Sequence, residues 1–96
     1  MNKTIHTIRT NQKLHKLFEQ ARESFFEKND HETAKRLLSE AIDLYESNVA
    51  KMDSDLSYEI EGFYKILLQT LGNIYFDEEK FEDGEKLLHK FYDYQL

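Results

Sequence analysis

The sequence predicts an all-α protein of four antiparallel helices, and three features of the chain indicate this. It has no Pro and only three Gly in 96 residues, so few residues interrupt a helix. Apolar residues recur at spacings of three and four over long stretches, which is the period of an amphipathic helix. Short polar breaks separate these stretches, and short connections imply antiparallel neighbours.

The first helix is expected to run from about Asn11 to Lys28. Its apolar stripe repeats at helical spacing: Leu14, Leu17, Phe18, Ala21 and Phe25. Residues 1–10 contain three Thr, which lower the helix propensity. We therefore expect this segment to be a frayed or docked N-terminal extension.

The second helix is expected to begin at Asp30 or His31. Asn29 followed by Glu32 has the spacing of a capping box, in which the two residues bond each other's backbone N–H groups. The apolar stripe of this helix covers almost five turns: Ala34, Leu37, Leu38, Ala41, Ile42, Tyr45 and Val49.

The third and fourth helices follow two further polar breaks. Any residue of the first break is a competent N-cap: Asp53, Ser54 and Asp55. The third helix is expected from about Leu56 to Phe76 and, as the most apolar of the four, to be central. The acidic residues 77–79 suit the N-terminus of the fourth helix. Its expected inner stripe is Phe81, Gly84, Leu88 and Phe91.

Length and composition predict one domain in a reducing compartment. Residues 11–96 are expected to form a single helical domain of two hairpins, 11–50 and 55–95. A chain of 96 residues supports one modest core and no deep catalytic cavity. It contains no Cys, so disulfides, thiolate nucleophiles and Cys-based zinc sites are excluded. We see no membrane span or secretory signal in the sequence and expect a cytoplasmic protein.

The stretch from Leu67 to Phe91 resembles a tetratricopeptide (TPR) helical hairpin. Its marker residues are a Leu-Gly pair, a Tyr, an aromatic residue, a small residue and a large apolar residue: Leu71, Gly72, Tyr75, Phe81, Gly84 and Leu88. At an offset of 50 residues, Phe25 aligns with Tyr75 and a similar skeleton surrounds it. The resemblance implies two stacked TPR-like hairpins with long helices. The alternative is a closed four-helix bundle.

The resemblance implies a protein-interaction module, such as an adaptor or regulator. TPR-like hairpins present the first helix of each pair along a concave groove that receives a peptide or a partner helix. The groove candidates on these helices are Lys13, Gln20, Phe26, Tyr58, Tyr64 and Asn73. The alternative is that Phe26 and Tyr64 are core residues and the polar candidates are merely solvated.

The aromatic C-terminal edge predicts self-association. In a repeat stack the second helix packs on the third, whereas Phe91, Tyr92 and Tyr94 have no later helix in this sequence to cover them. An open row of aromatic side chains favours association, so we expect a homodimer or an obligate partner at this edge. The alternative is that these aromatics fold back into a closed bundle under Ile5 and Ile8.

The N-terminal charges support a second hypothesis, a nucleic-acid-associated regulator. Residues 1–16 contain four cations and no acid, and these cations are the candidate phosphate contacts: Lys3, Arg9, Lys13 and Lys16. Since the net charge is −6, the rest of the chain carries −10. A body of that charge opposes binding to phosphates, so a protein partner is favoured over nucleic acid.

No pattern in the sequence points to an enzyme. With 19 acids in the chain, carboxylate pairs on polar helix faces are expected by chance. The four His are scattered, and none has the Glu-x-x-His spacing of a di-iron bundle. We therefore expect no catalytic residues, no cofactor and no metal site.

Overall fold

The structure of the protein is a computed structural model, which describes residues 2–93. It is all-α, with four helices and no strand among these residues, which confirms the predicted fold class. The helices are α1 (Asn2–Arg22), which continues into a π-helical turn (Glu23–Glu27), α2 (His31–Asn48), which continues into a 3₁₀ turn (Val49–Lys51), α3 (Ser54–Asp77) and α4 (Phe81–Asp93).

The four helices form two hairpins that lie side by side. Helix α1 packs along α2, α3 packs along α4, and the hairpins meet where α2 and part of α1 contact α3. Thr7 contacts Asp53, and further along both helices His15 contacts Phe63, so α1 and α3 run parallel. The molecule measures 44 × 31 × 16 Å and is therefore broad and flat.

Helix α1 begins at Asn2, although the sequence predicted a first helix from about Asn11. The Thr7 and Thr10 hydroxyls donate to carbonyls four residues earlier, and both side chains are buried. The Thr7 hydroxyl oxygen also accepts the backbone N–H of Asp53 at 2.9 Å. This tertiary contact offsets the low helix propensity of the segment, which is docked as a helix.

The predicted caps and breaks have clear counterparts in the structure. Helix α2 begins at His31, as predicted, but its cap is Asp30, whose carboxylate accepts the Thr33 N–H at 3.1 Å. Asn29 instead has φ 52°, a left-handed conformation that Asn tolerates well. Helix α3 is capped by Asp53, one of the three predicted candidates, which accepts the N–H of Asp55 at 2.9 Å.

The inner face of α4 differs from the prediction. Gly84 and Leu87 are buried and Phe91 is partly buried, whereas Phe81 and Leu88 are exposed. The close contact of α4 with α3 sets the rotation of α4 about its own axis. Gly84 faces α3 at this contact, where an added Cβ would lie 3.0 Å from the ring of Phe76.

A stacked pair of tyrosines lies at the centre of the core. The rings of Tyr45 and Tyr64 are 4.2 Å apart, and both side chains are almost fully buried. The Tyr64 hydroxyl donates to the carboxylate of Glu46, which also accepts Lys90 Nζ at 3.0 Å. Glu46 therefore joins α2, α3 and α4.

A buried lysine ties the start of α2 to the end of α3. Lys35 Nζ lies 2.7 Å from Glu32 Oε2 and 2.7 Å from Glu78 Oε1, and its side chain is 7% exposed. These hydrogen bonds, first to Glu32 and then to Glu78, raise the pKa of Lys35, and the bond from Lys35 lowers the pKa of Glu78. The ammonium also lies 5.6 Å from the ring centroid of Tyr75.

Gly62 is a site where a substitution should stabilise the protein. It lies inside α3, and an added Cβ would meet nothing within 4 Å. Since Ala is the better helix former, we expect Gly62→Ala to raise the free energy of unfolding by about 0.5–1 kcal/mol, measured by chemical denaturation. Gly84→Ala is the control, because contact with Phe76 offsets the same gain. An equal gain in both variants would contradict the close contact at Gly84.

Candidate functional site

A groove runs between the parallel helices α1 and α3, and we call it the α1–α3 groove. Its first part, the proximal depression, has a volume of about 280 Å³. The residues that form it include Ile8, Asn11, His15, Glu59, Ile60 and Phe63. Its second part, the distal depression, has a volume of about 230 Å³. The residues that form it include Phe18, Phe25, Phe26, Thr70, Asn73 and Ile74.

Aromatic rings connect the two depressions. The imidazole of His15 stacks on Phe63 with centroids 4.0 Å apart, and Phe18 meets the same ring edge-on at 5.4 Å. Aromatic side chains therefore lie between the two depressions, and the line of mostly apolar side chains from Ile8 to Phe26 is called the groove floor below. At about 1.5 Å per residue, α1 and its π-helical turn extend about 27 Å from Ile8 to Phe26.

Large apolar side chains are exposed along the groove. Ile8 is exposed at its proximal end, and Ile66 lies one helical turn from both Phe63 and Thr70. Phe26 is 75% exposed at the distal end, in the π-helical turn. Its ring packs against Phe25 at 5.0 Å. A π-helical turn re-aims side chains and is frequent at functional sites.

The charges along the groove are mixed, with an acidic excess. Glu59 borders the proximal depression, and Arg22 and Asp77 border the distal one. Glu19 lies 3.6 Å from Arg22 on the outer side of α1. The two depressions are therefore bordered by two carboxylates, Glu59 and Asp77, and by one guanidinium, which is paired with Glu19.

The structure brings together only two of the six predicted groove residues. Phe26 and Asn73 line the distal depression. Lys13 and Gln20 lie on the opposite side of α1, in a depression shared with α2. Tyr58 is 79% exposed but is outside both parts of the groove, and Tyr64 is in the core, where it stacks on Tyr45.

Sequence reasoning missed much of the groove floor. Ile8, His15 and Arg22 recur at a seven-residue spacing, which places them on one face of α1. On α3, Phe63 and Ile66 share a face. These spacings identify each face, but they do not say which face of α1 packs towards α3.

The four N-terminal cations are all exposed on α1: Lys3, Arg9, Lys13 and Lys16. Arg9, Lys13 and Lys16 follow a helical spacing and share one side of the helix. Across the α1–α2 depression, Lys13 and Lys16 face Glu40 and Asp43. These acids lower the positive potential on that side.

The predicted self-association edge is only partly described. Phe91 packs against the core and is partly buried, Tyr92 is exposed, and Tyr94 lies outside the described residues. Phe81 and Leu88 are exposed as well, and their spacing places them with Tyr92 on one side of α4. We call these three residues the α4 stripe.

The structure contains few other features that would indicate a function. Within the described residues, no three His, Asp or Glu side chains are grouped to hold a metal ion. No helix in the same part of the chain is both long and apolar enough to cross a membrane. Comparison with protein-family models, curated proteins and solved structures finds no match to the chain. Inferences about function therefore depend on the residues of this chain alone.

Proposed function

We propose that the chain is a non-enzymatic protein-interaction module, a TPR-like adaptor or regulator that binds a segment of a partner protein in the α1–α3 groove. The observation that carries this proposal is the apolar floor that runs from Ile8 to Phe26, with Phe26 projecting at its end. Grooves of this kind bind peptides through a few apolar anchors.

The occupant that fits the groove is a peptide or helix with two apolar anchors and basic flanks. Each depression has room for about one large apolar side chain. The floor, about 27 Å long, matches an extended segment of about eight residues or a helix of about 18 residues. Glu59 and Asp77 border the groove, and Arg22 is already paired with Glu19, so the groove favours cationic flanking residues.

Polar groups at the distal depression would orient the bound segment. Asn73 offers both donors and an acceptor, and the Thr70 hydroxyl, which donates to the Ile66 carbonyl at 2.7 Å, offers an acceptor oxygen beside it. An apolar anchor held between Phe18 and Phe26 would place the segment's backbone near these groups. Affinity would come from the aromatic contacts and register from the polar ones.

Self-association at the C-terminal edge belongs to the same proposal. The α4 stripe is outside the groove, so a second copy could bind there while the groove holds a partner segment. The module would then be a homodimer with two grooves.

A nucleic-acid-associated regulator is the second candidate, because Arg9, Lys13 and Lys16 share one side of α1. Glu40 and Asp43 across the α1–α2 depression oppose phosphate binding there. Peptide binding therefore fits the charges better. Binding to RNA or DNA that weakens steeply with salt and is lost in Lys13→Glu would support this candidate instead.

We predict that peptides selected on the chain from a random-sequence display library depend on Phe26. Phe26→Ser should weaken their affinity at least about tenfold, about 1.4 kcal/mol, because it removes the exposed aromatic anchor contact. Fluorescence anisotropy with labelled peptides measures this. Tyr58→Ser is the matched control, since it removes a similarly exposed aromatic outside the groove and should leave the affinity unchanged.

Two results would contradict the proposed function. The first is a library that yields no specific binders. The second is a set of binders that are insensitive to Phe26→Ser and to Ile66→Asp, which places a charge on the groove side of α3.

A further inference from the structure

We infer that the groove continues past Phe26 into a subsite for an arginine of the bound segment, whose guanidinium stacks on the Phe26 ring between Asp77 and Glu27. This inference rests on the proposed function, because it gives one of the basic flanking residues a position on the chain. It commits the subsite to one chemistry, a planar guanidinium next to an apolar anchor.

Phe26 separates the distal depression from a second depression on the outer side of α1. We call this second one the outer depression. Its volume is about 440 Å³, and Glu23 and Glu27 line it together with Phe26. The Phe26 side chain is 75% exposed, so its contact with Phe25 leaves most of the ring open to a ligand. A segment that leaves the groove at its distal end therefore crosses this ring.

An unpaired carboxylate lies on each side of Phe26. Asp77 borders the distal depression, and Glu27 borders the outer depression. Both residues are exposed, and neither forms an ion pair within residues 2–93. An aromatic ring with carboxylates on both sides attracts a cation, through the quadrupole of the ring and through Coulomb attraction.

The cations near the subsite leave this attraction in place. Those closest in the chain are Arg22, Lys28 and Lys80. Each forms an ion pair with a carboxylate other than these two, at 3.6, 3.5 and 3.5 Å. Lys16 also lines the outer depression, but it lies about 15 Å from Phe26 along the helix axis. Physiological salt screens exposed charges over about 8 Å, so Lys16 opposes a bound cation only weakly.

Arginine fits this subsite better than lysine. A guanidinium is planar and weakly hydrated, so it stacks on an aromatic face, and its N–H groups can bond a carboxylate in pairs. The chain itself contains a contact of this kind, because the guanidinium carbon of Arg22 lies 6.0 Å from the ring centroid of Phe18. The ammonium of a lysine is a compact and strongly hydrated charge, which gains less from the ring.

Two tripeptide probes test the subsite without the rest of the groove. The first is an acetylated tripeptide amide with leucine between two arginines. The second has citrulline, a neutral analogue of similar shape, in place of both arginines. Leucine fills the distal depression, and one arginine then reaches Phe26 whichever way the probe runs. NMR titration of the isotope-labelled chain should show at least about fivefold tighter binding of the arginine probe, because cation–π contacts and exposed ion pairs each contribute up to about fivefold.

Variants separate the carboxylates from the ring. The double variant Glu27→Gln with Asp77→Asn should reduce the preference for arginine over citrulline to less than about twofold. The matched control is Glu82→Gln with Asp83→Asn, which removes the same charge from the exposed side of α4 and should keep the preference. Phe26→Leu retains an apolar side chain without a ring and should lower the preference about threefold.

Four results would overturn the subsite. They are equal binding of the two probes, binding of neither probe, a preference that survives loss of both carboxylates, and a lysine probe that binds as tightly as the arginine one. Library-selected peptides that depend on Phe26 but show no preference for arginine would overturn the subsite and leave the groove standing. A library without binders, together with an arginine preference in the tripeptides, would instead contradict the groove alone.

Discussion

Replacing Lys35 with Met should lower the free energy of unfolding by about 2–3 kcal/mol. Met keeps most of the side-chain volume against Tyr75 but removes the ammonium that lies 2.7 Å from Glu78. Glu78 is only 25% exposed and would retain Lys80, at 3.5 Å, as its nearest cation. Removing one partner of a buried ion pair costs about 3–5 kcal/mol, and the partial exposure of Glu78 reduces this loss.

Urea denaturation of the wild type, Lys35→Met and Arg36→Met measures this effect. Arg36 is the matched control, since it is the next residue on α2 and lies 3.9 Å from Glu40 on the exposed side. Arg36→Met should lower the free energy of unfolding by less than about 0.5 kcal/mol, as for other surface pairs. Equal losses in the two variants would show that Lys35 contributes no more than a surface charge.

The acid dependence of stability gives a second readout of the same substitution. Because the pKa of Glu78 is lowered in the fold, its contribution is complete above the unfolded pKa, about 4.3, and is lost as the pH falls through the folded value. The pKa of Lys35 is raised, so its own contribution is complete at neutral and acidic pH. The stability difference between the wild type and Lys35→Met should therefore narrow as the pH falls below about 4. A stability difference between the two proteins that does not change with pH would contradict the Lys35–Glu78 contact.

Replacing Thr7 with Val should lower the free energy of unfolding by about 1–3 kcal/mol, although the two side chains have nearly the same shape. Thr7 is fully buried, and its hydroxyl both donates to the Lys3 carbonyl and accepts the Asp53 N–H. Val leaves that partly buried N–H without its acceptor. Urea denaturation should show the lower free energy of unfolding. Amide hydrogen exchange should be faster at residues 3–10, because the contact holds the start of α1 on the α2–α3 connection.

Thr10→Val is the control for Thr7→Val. Thr10 is also buried, but its hydroxyl donates only to the His6 carbonyl of its own helix. Removing this hydroxyl should lower the free energy of unfolding by less than about 0.5 kcal/mol, since the His6 carbonyl keeps its backbone partner in the helix. Similar losses at both positions would mean that the bond to Asp53 contributes nothing measurable.

Local patterns in the sequence were sufficient to predict most of the helical architecture. The polar breaks marked the ends of the helices, and Asp53 caps α3 as its position suggests. The start of α1 was missed because its stability depends on Thr7 and Asp53, which are 46 residues apart in the chain. The faces of Phe81 and Leu88 were missed because α4 is turned by the contact of Gly84 with Phe76.

The candidate site was less predictable than the fold. The sequence placed Phe26 and Asn73 on the two helices that form the groove, and the structure sets them in one depression. Lys13 and Gln20 are on the same helix as Phe26 but face α2. Periodicity gives the faces of a helix, whereas tertiary packing decides which neighbour each face meets.

The measurement that tests the central claim most directly is an NMR titration of the isotope-labelled chain with a library-selected peptide. We expect amide shifts to change along the groove faces of α1 and α3, from Ile8 to Phe26 and from Glu59 to Asp77, and to saturate together. Changes concentrated on the α4 stripe or around Lys13 and Lys16, with the groove amides unmoved, would contradict binding in the α1–α3 groove.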